Sequence, residues 1–107
     1  MERYGSVIKL RSEKLVEYKE LHANVWPDVL KMISKSNIRN YSIYYRDGFL
    51  FSYYEYHGED YTADMKKMAA DANTQAWWKL TDPCQEPLET CKPGEWWGSM
   101  EEFFHVD

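Results

Sequence analysis

Asp47-Gly48 stands between two aromatic, β-rich runs, RNYSIYYR at residues 39–46 and FLFSYYEYH at residues 49–57. An Asp-Gly pair so flanked is the strongest short-range signal for a β-hairpin, because the favoured turn needs positive φ at both central residues. On a regular first strand Tyr41, Ile43 and Tyr45 share one face, with Asn40, Ser42 and Tyr44 on the other. On the second, Phe49, Phe51 and Tyr53 alternate with Leu50, Ser52 and Tyr54. The pattern leaves the register between the two strands open.

The rest of the chain is read around this hairpin. Residues 4–10 alternate weakly and predict a first strand. Ser12 is suited to cap the following helix, with Glu13 in its first turn. Leu15, Tyr18, His22, Val25, Val29 and Ile33 recur at steps of three and four, the spacing of one helix face. Pro27 should break that helix near residues 24–26 and open a second segment running to about Ser36. Residues 59–72 predict another helix, with Tyr61, Met65, Met68, Ala69 and Ala72 as its buried stripe. A short helix carrying Trp77 and Trp78 starts at Asn73 or Thr74. An irregular segment, residues 83–98, holds three prolines and two glycines; loops of that length are usually functional or disordered. Trp96-Trp97 within it argues for docking. The closing run MEEFFH, residues 100–105, predicts a last strand. The order β-α-β-β-α-(α)-β matches the split βαβ, ferredoxin-like α+β topology in a single domain spanning residues 1–107. Such a sheet carries its helices on one face. Stacking two subunits would cover the other, so a homodimer is expected, with the Trp-rich tail as a candidate contact.

Composition narrows the function. Five Trp and nine Tyr are more rings than 107 residues can bury, so some must line a pocket or meet a partner. Thirteen scattered Lys and Arg against 18 Asp and Glu give a net charge of −5 and no basic stripe, which excludes nucleic acid as the expected partner. No apolar run approaches the roughly 20 residues that span a bilayer, and the N-terminus lacks the pattern of a signal peptide. A cytoplasmic location is expected, with Cys84 and Cys91 as reduced thiols rather than a disulfide. His22, His57 and His105 fall on different elements without ligand spacing, so no metal is expected. No phosphate loop, nucleophile elbow or cofactor motif occurs.

What remains is acid–base chemistry among aromatic rings. Tyr18 and His22 project one turn apart from the same helix face, and imidazole can both accept and donate a proton near neutrality. The alternative for His22 is a core histidine bonded to a neighbour. Sugars suit such a setting, because their C–H faces lie on rings while their hydroxyls need the donors and acceptors that Tyr and Trp supply. Opening a pyranose ring requires deprotonating the anomeric hydroxyl and protonating the ring oxygen, then reversing both.

Tyr18-x-x-x-His22 with Val25-Trp26-Pro27-Asp28, Asn40-Tyr41-x-Ile43-Tyr44, Trp77-Trp78 and the closing Glu101-Glu102-Phe103-Phe104-His105 resembles the L-rhamnose mutarotases along nearly the whole chain. The resemblance implies a dimeric ferredoxin-like α/β barrel that interconverts the α and β anomers of L-rhamnose without a cofactor. It implies His22 as the proton donor and Tyr18, Tyr41, Trp77 and Trp78 as sugar-binding residues. Trp26, Tyr44 and Tyr53 are further candidates by ring chemistry. Residues 81–85 and the loop to Trp96-Trp97 depart from the family's shorter tail, which opens L-fucose or another 6-deoxy sugar as substrate. A cofactor-independent oxygenase on the same dimeric fold, or a non-catalytic sugar-binding module, stand as alternatives.

Overall fold

A computed structural model describes all 107 residues. Strand β1 (Glu2–Leu10) leads through a 3-10 turn (Ser12–Lys14) into helices α1 (Leu15–Ala23) and α2 (Pro27–Lys35). The hairpin β2 (Ile38–Arg46) and β3 (Phe49–Tyr56) follows, then α3 (Tyr61–Ala70) and α4 (Ala72–Thr81). A second 3-10 turn (Asp82–Cys84) precedes β4 (Gln85–Glu86), and β5 (Gly98–Met100) closes the sheet. The order is β2-β3-β1-β4, with antiparallel pairing between neighbours, and β5 lies on the same edge of β1 as β4. This is the ferredoxin-like α+β arrangement.

The hairpin turns as its sequence requires: Asp47 and Gly48 have φ of 51° and 86°, the two positive values of the favoured two-residue turn. A bulge then decides which side chains face the helices. Arg39 pairs with Glu55 and Ser42 with Tyr53, so Asn40 and Tyr41 together oppose the single residue Tyr54. Asn40 takes the extra turn in the left-handed region, φ 52°, which Asn tolerates better than most residues. Strict alternation from the buried Ile38 would have sent Tyr41 to the far face. The inserted residue returns it to the face of Ile43 and Tyr54.

On that inner face Ile8, Leu10 and Leu50 pack with Tyr18 of α1 and with Cys84, flanked by Leu15, Ile43 and Trp97. Arg3, Gly5, Val7, Phe49, Phe51, Tyr53 and Tyr44 alternate onto the outer face, which no helix covers. Tyr44 is 65% exposed there, and Phe51 and Met100 are also exposed.

Local details differ from the sequence pattern in four places. Helix α3 stops at Ala70, buries no residue fully and leaves Ala69 exposed, as is Ala72 of α4. Ser12 makes no cap; it begins the 3-10 turn, and α1 starts only at Leu15. Helix α4 starts at Ala72 because Asp71 caps it, accepting from the Thr74 amide at 2.9 Å and from its hydroxyl. Strand β5 covers Gly98–Met100, whereas Phe103 and Phe104 project into solvent beyond it. The run MEEFFH has strand-like composition, but β1 offers partners only from Gly5 to Val7 to this segment. Both cysteines are free thiols. The buried Cys84 Sγ donates to Glu17 Oε2 at 3.1 Å, and burial together with that carboxylate pushes the thiol up to about 11. No helix is long and apolar enough to cross a membrane.

Candidate active site

Tyr18 and His22 lie at i and i+4 on α1, and a hydrogen bond fixes their relation. His22 Nδ1 lies 2.9 Å from the Tyr18 carbonyl oxygen. A carbonyl can only accept, so Nδ1 carries the proton and the neutral ring keeps its free lone pair at Nε2. The imidazole leans on the Tyr18 ring, with centroids 4.3 Å apart, and meets the edge of Trp77 at 5.5 Å.

Pro27 supplies the next wall. Helix α1 ends at Ala23, and Trp26 takes an extended conformation, φ −59° and ψ 135°, as a residue before proline prefers. The break aims the Trp26 ring at Trp77 of α4, edge to face at 5.3 Å. Trp77 is buried between them, while Trp78 is 37% exposed and has no ring partner. Consecutive helical side chains diverge by about 100°, so one tryptophan of the pair joins the cluster and the other does not.

The sheet contributes phenols. Tyr41 packs edge-on against Tyr54 at 5.4 Å, Tyr54 shares a hydroxyl–hydroxyl bond with Tyr61, and Tyr4 stacks on Tyr61 at 4.4 Å. Burial raises the pKa of Tyr18 and Tyr54 above the usual phenol value, and desolvation of its hydroxyl does the same for Tyr41, although 43% of that residue is exposed. The Tyr41 hydroxyl adds to the rise at Tyr18, whereas a hydrogen bond from Gln85 opposes it. These phenols therefore stay protonated at neutral pH and act as hydrogen-bond donors rather than bases.

Gln85 and Trp96 were not among the residues picked from sequence, although Trp96-Trp97 had marked the loop as docked. Gln85 Nε2 donates to Tyr18 Oη at 2.9 Å, and Trp96 Nε1 donates to Gln85 Oε1 at 2.7 Å. Trp97 packs against the core cluster, while Trp96 keeps 39% of its surface exposed. The segment between β4 and β5 thus reaches the back of the His22 cluster.

Tyr44 and Tyr53 take no part in it. Alternation puts both on the outer face, where Tyr53 Oη donates to Glu55 at 2.8 Å and Tyr44 stands in solvent. Two open clefts, of about 240 and 420 Å³, also lie elsewhere. One is lined by Glu17, Glu20, Leu21 and Asn24, the other runs along Lys9, Arg11, Asp47 and Glu86. Neither has the mix of rings and hydroxyls that surrounds His22.

A ferredoxin-like α+β domain here sets one imidazole among indoles and protonated phenols, a setting suited to acid–base chemistry on an uncharged, hydroxylated molecule. The family model of L-rhamnose mutarotase matches residues 3–106. The chain belongs to that family, whose members are isomerases acting on carbohydrates. It is 38% identical to the L-rhamnose mutarotase of Phocaeicola vulgatus over 85% of each chain. To that of Lactiplantibacillus plantarum it is 30% identical over the whole of both. The fold is similar to the solved L-rhamnose mutarotase of Formosa agariphila, with a TM-score of 0.77 over both full chains at 20% identity.

Proposed function

We propose that the chain interconverts the α and β anomers of L-rhamnose with His22 as the alternating base and acid. The observation that carries this reading is the Nδ1 bond to the Tyr18 carbonyl, which leaves Nε2 as the reacting nitrogen between the Tyr18 and Trp77 rings. Nε2 takes the proton from the anomeric hydroxyl O1. The O1–H electron pair becomes the second bond of the C1=O1 aldehyde, and the C1–O5 pair leaves on the ring oxygen O5. The imidazolium returns its proton to O5. Both oxygens hang on C1, so one nitrogen reaches each in turn. Rotation about C1–C2 and the reverse steps give the other anomer, with no net change in protons or electrons.

Tyr18 and Tyr41 donate hydrogen bonds to sugar oxygens, and Trp77 and Trp26 offer ring faces to the C–H face and methyl group of a 6-deoxy sugar. Trp78 stands at the rim. The uncovered outer sheet face, with Tyr44, Phe51 and Met100, together with the exposed Phe103 and Phe104, supports a homodimer in which the two sheets stack. Free thiols support a cytoplasmic place of action.

Saturation-transfer NMR tests the reaction. L-Rhamnose and L-fucose anomers should exchange above the buffer rate with the wild-type protein, L-rhamnose faster. Exchange at the buffer rate with both sugars would overturn the reading. A monomer in size-exclusion chromatography with light scattering would overturn the dimer.

A further inference from the structure

We propose that Trp96 and Gln85 are positioning residues that hold the Tyr18 hydroxyl as a hydrogen-bond donor to the sugar. The inference rests on the mutarotase reading and names a duty for the long segment between β4 and β5 within it.

The direction of the chain of bonds follows from its outer end. An indole N–H only donates. Trp96 Nε1 lies 2.7 Å from Gln85, so the amide atom facing it is the oxygen, and the NH2 group faces Tyr18. Gln85 Nε2 then donates to Tyr18 Oη at 2.9 Å. That contact occupies an acceptor position of the phenol oxygen and leaves its own proton to point elsewhere. No side chain or carbonyl of the protein accepts that proton, because the bond from Gln85 is the sole protein hydrogen bond at Tyr18 Oη. Tyr18 and Gln85 are 5% and 3% exposed, so bulk water does not compete for either group. A donor at the oxygen also polarises the O–H bond and strengthens what it donates in turn.

Without Trp96 the amide is free to rotate. Its oxygen could then accept the Tyr18 proton, and the hydroxyl would turn away from the substrate. The loop would thus govern the polarity of a hydroxyl it does not touch. The proline-rich excursion of residues 87–97 is held for this duty by its own bonds, Cys91 N–H to the Leu88 carbonyl and Glu95 N–H to the Lys92 carbonyl.

The test is a set of coupled variants read by L-rhamnose anomer exchange, with kcat and KM separated. Trp96→Phe keeps an aromatic ring but removes the N–H with part of the indole's bulk, and should cut kcat/KM about fivefold, the scale of one net hydrogen bond. Gln85→Met removes both bonds at similar volume and should cost about tenfold. In a Tyr18→Phe background both losses should vanish, because no hydroxyl remains to orient. Losses that persist there would show a structural role and overturn the inference, as would Trp96→Phe at the wild-type rate. Thermal unfolding of each variant separates loss of fold from loss of orientation. Failure of the mutarotase reading looks different: the wild-type protein itself would give no exchange, and both conclusions would fall together.

Discussion

His22 and His57 each sit beside tyrosines, yet the two faces of the sheet put them to different uses. His22 spends Nδ1 on a backbone carbonyl and keeps Nε2 free among rings. His57, 43% exposed by its side chain, turns Nε2 to Glu55 Oε1 at 3.1 Å. Glu55 also accepts from Asn40 Nδ2 and Tyr53 Oη, each at 2.8 Å. On the inner face Tyr54 and Tyr61 bond to each other and Tyr18 accepts from Gln85, while Tyr4 and Tyr56 reach the carboxylates of Glu2 and Asp64. On the outer face Tyr53 meets Glu55 and Tyr44 meets solvent. Residue type therefore says little about which histidine is placed for proton transfer. What distinguishes them is which ring nitrogen is left without a partner and whether its walls exclude water.

The sharpest way to break this contrast is to remove each imidazole. His22→Ala should lower the rate of L-rhamnose anomer exchange by about two orders of magnitude or more, the scale of general acid–base catalysis. His57→Ala should stay within about twofold of wild type, as substitutions at exposed positions do. Equal losses would put the two faces on the same footing. For the outer face as a subunit contact, Phe51→Arg is the corresponding test. In the proposed dimer it would place a charge in an apolar patch facing its own copy across the two-fold axis. The dimer dissociation constant should rise by about a hundredfold, as for a buried interface residue, while an unchanged mass in light scattering would remove this face from the contact. The phenols give a smaller effect. Tyr18→Phe should lower kcat/KM about tenfold, the loss of one hydrogen bond in a water-poor site, and Tyr53→Phe should leave it unchanged.

Much of the fold was legible because the strongest local signals agree with the tertiary answer. Asp47-Gly48 makes the turn, Pro27 breaks the helix, and the Tyr18-to-Val29 stripe faces inward. The failures share a cause: they depend on partners distant in sequence. Ser12 could cap a helix but lies in a 3-10 turn, and of MEEFFH only Met100 finds β1 beside it. Around His22, the shared face of Tyr18 and His22 was readable from helix spacing and the turn at Trp26 from a proline. Spacing left open which of Trp77 and Trp78 packs inward, and the family resemblance named both. The facing of Tyr41 came right for an incomplete reason, since it depends on a bulge at Asn40 that alternation does not reveal. Gln85 was illegible. A glutamine after Cys84 has no local pattern, and its meaning comes from Tyr18, 67 positions earlier, and Trp96, 11 later.

The smallest effects separate the faces by pH. On the outer face, hydrogen bonds from His57, Asn40 and Tyr53 hold Glu55 at about 2, below its ordinary 4.5. A depressed acid stabilises the fold above its ordinary value, and that contribution fades as pH falls toward 2. Glu55→Gln should therefore melt below wild type at pH 7, with the gap narrowing from about pH 4.5 downward. On the inner face the sign reverses. Burial, then the bond to Tyr61, raises Tyr54, so its contribution is complete below pH 10 and is lost as pH climbs beyond that ordinary phenol value. Tyr54→Phe should flatten the alkaline decline of the melting temperature and leave the acid limb unchanged. Glu55→Gln should do the converse. Should either variant alter both limbs, the two faces would not titrate independently, and the proposed separation of a catalytic face from a contact face would lose its electrostatic basis.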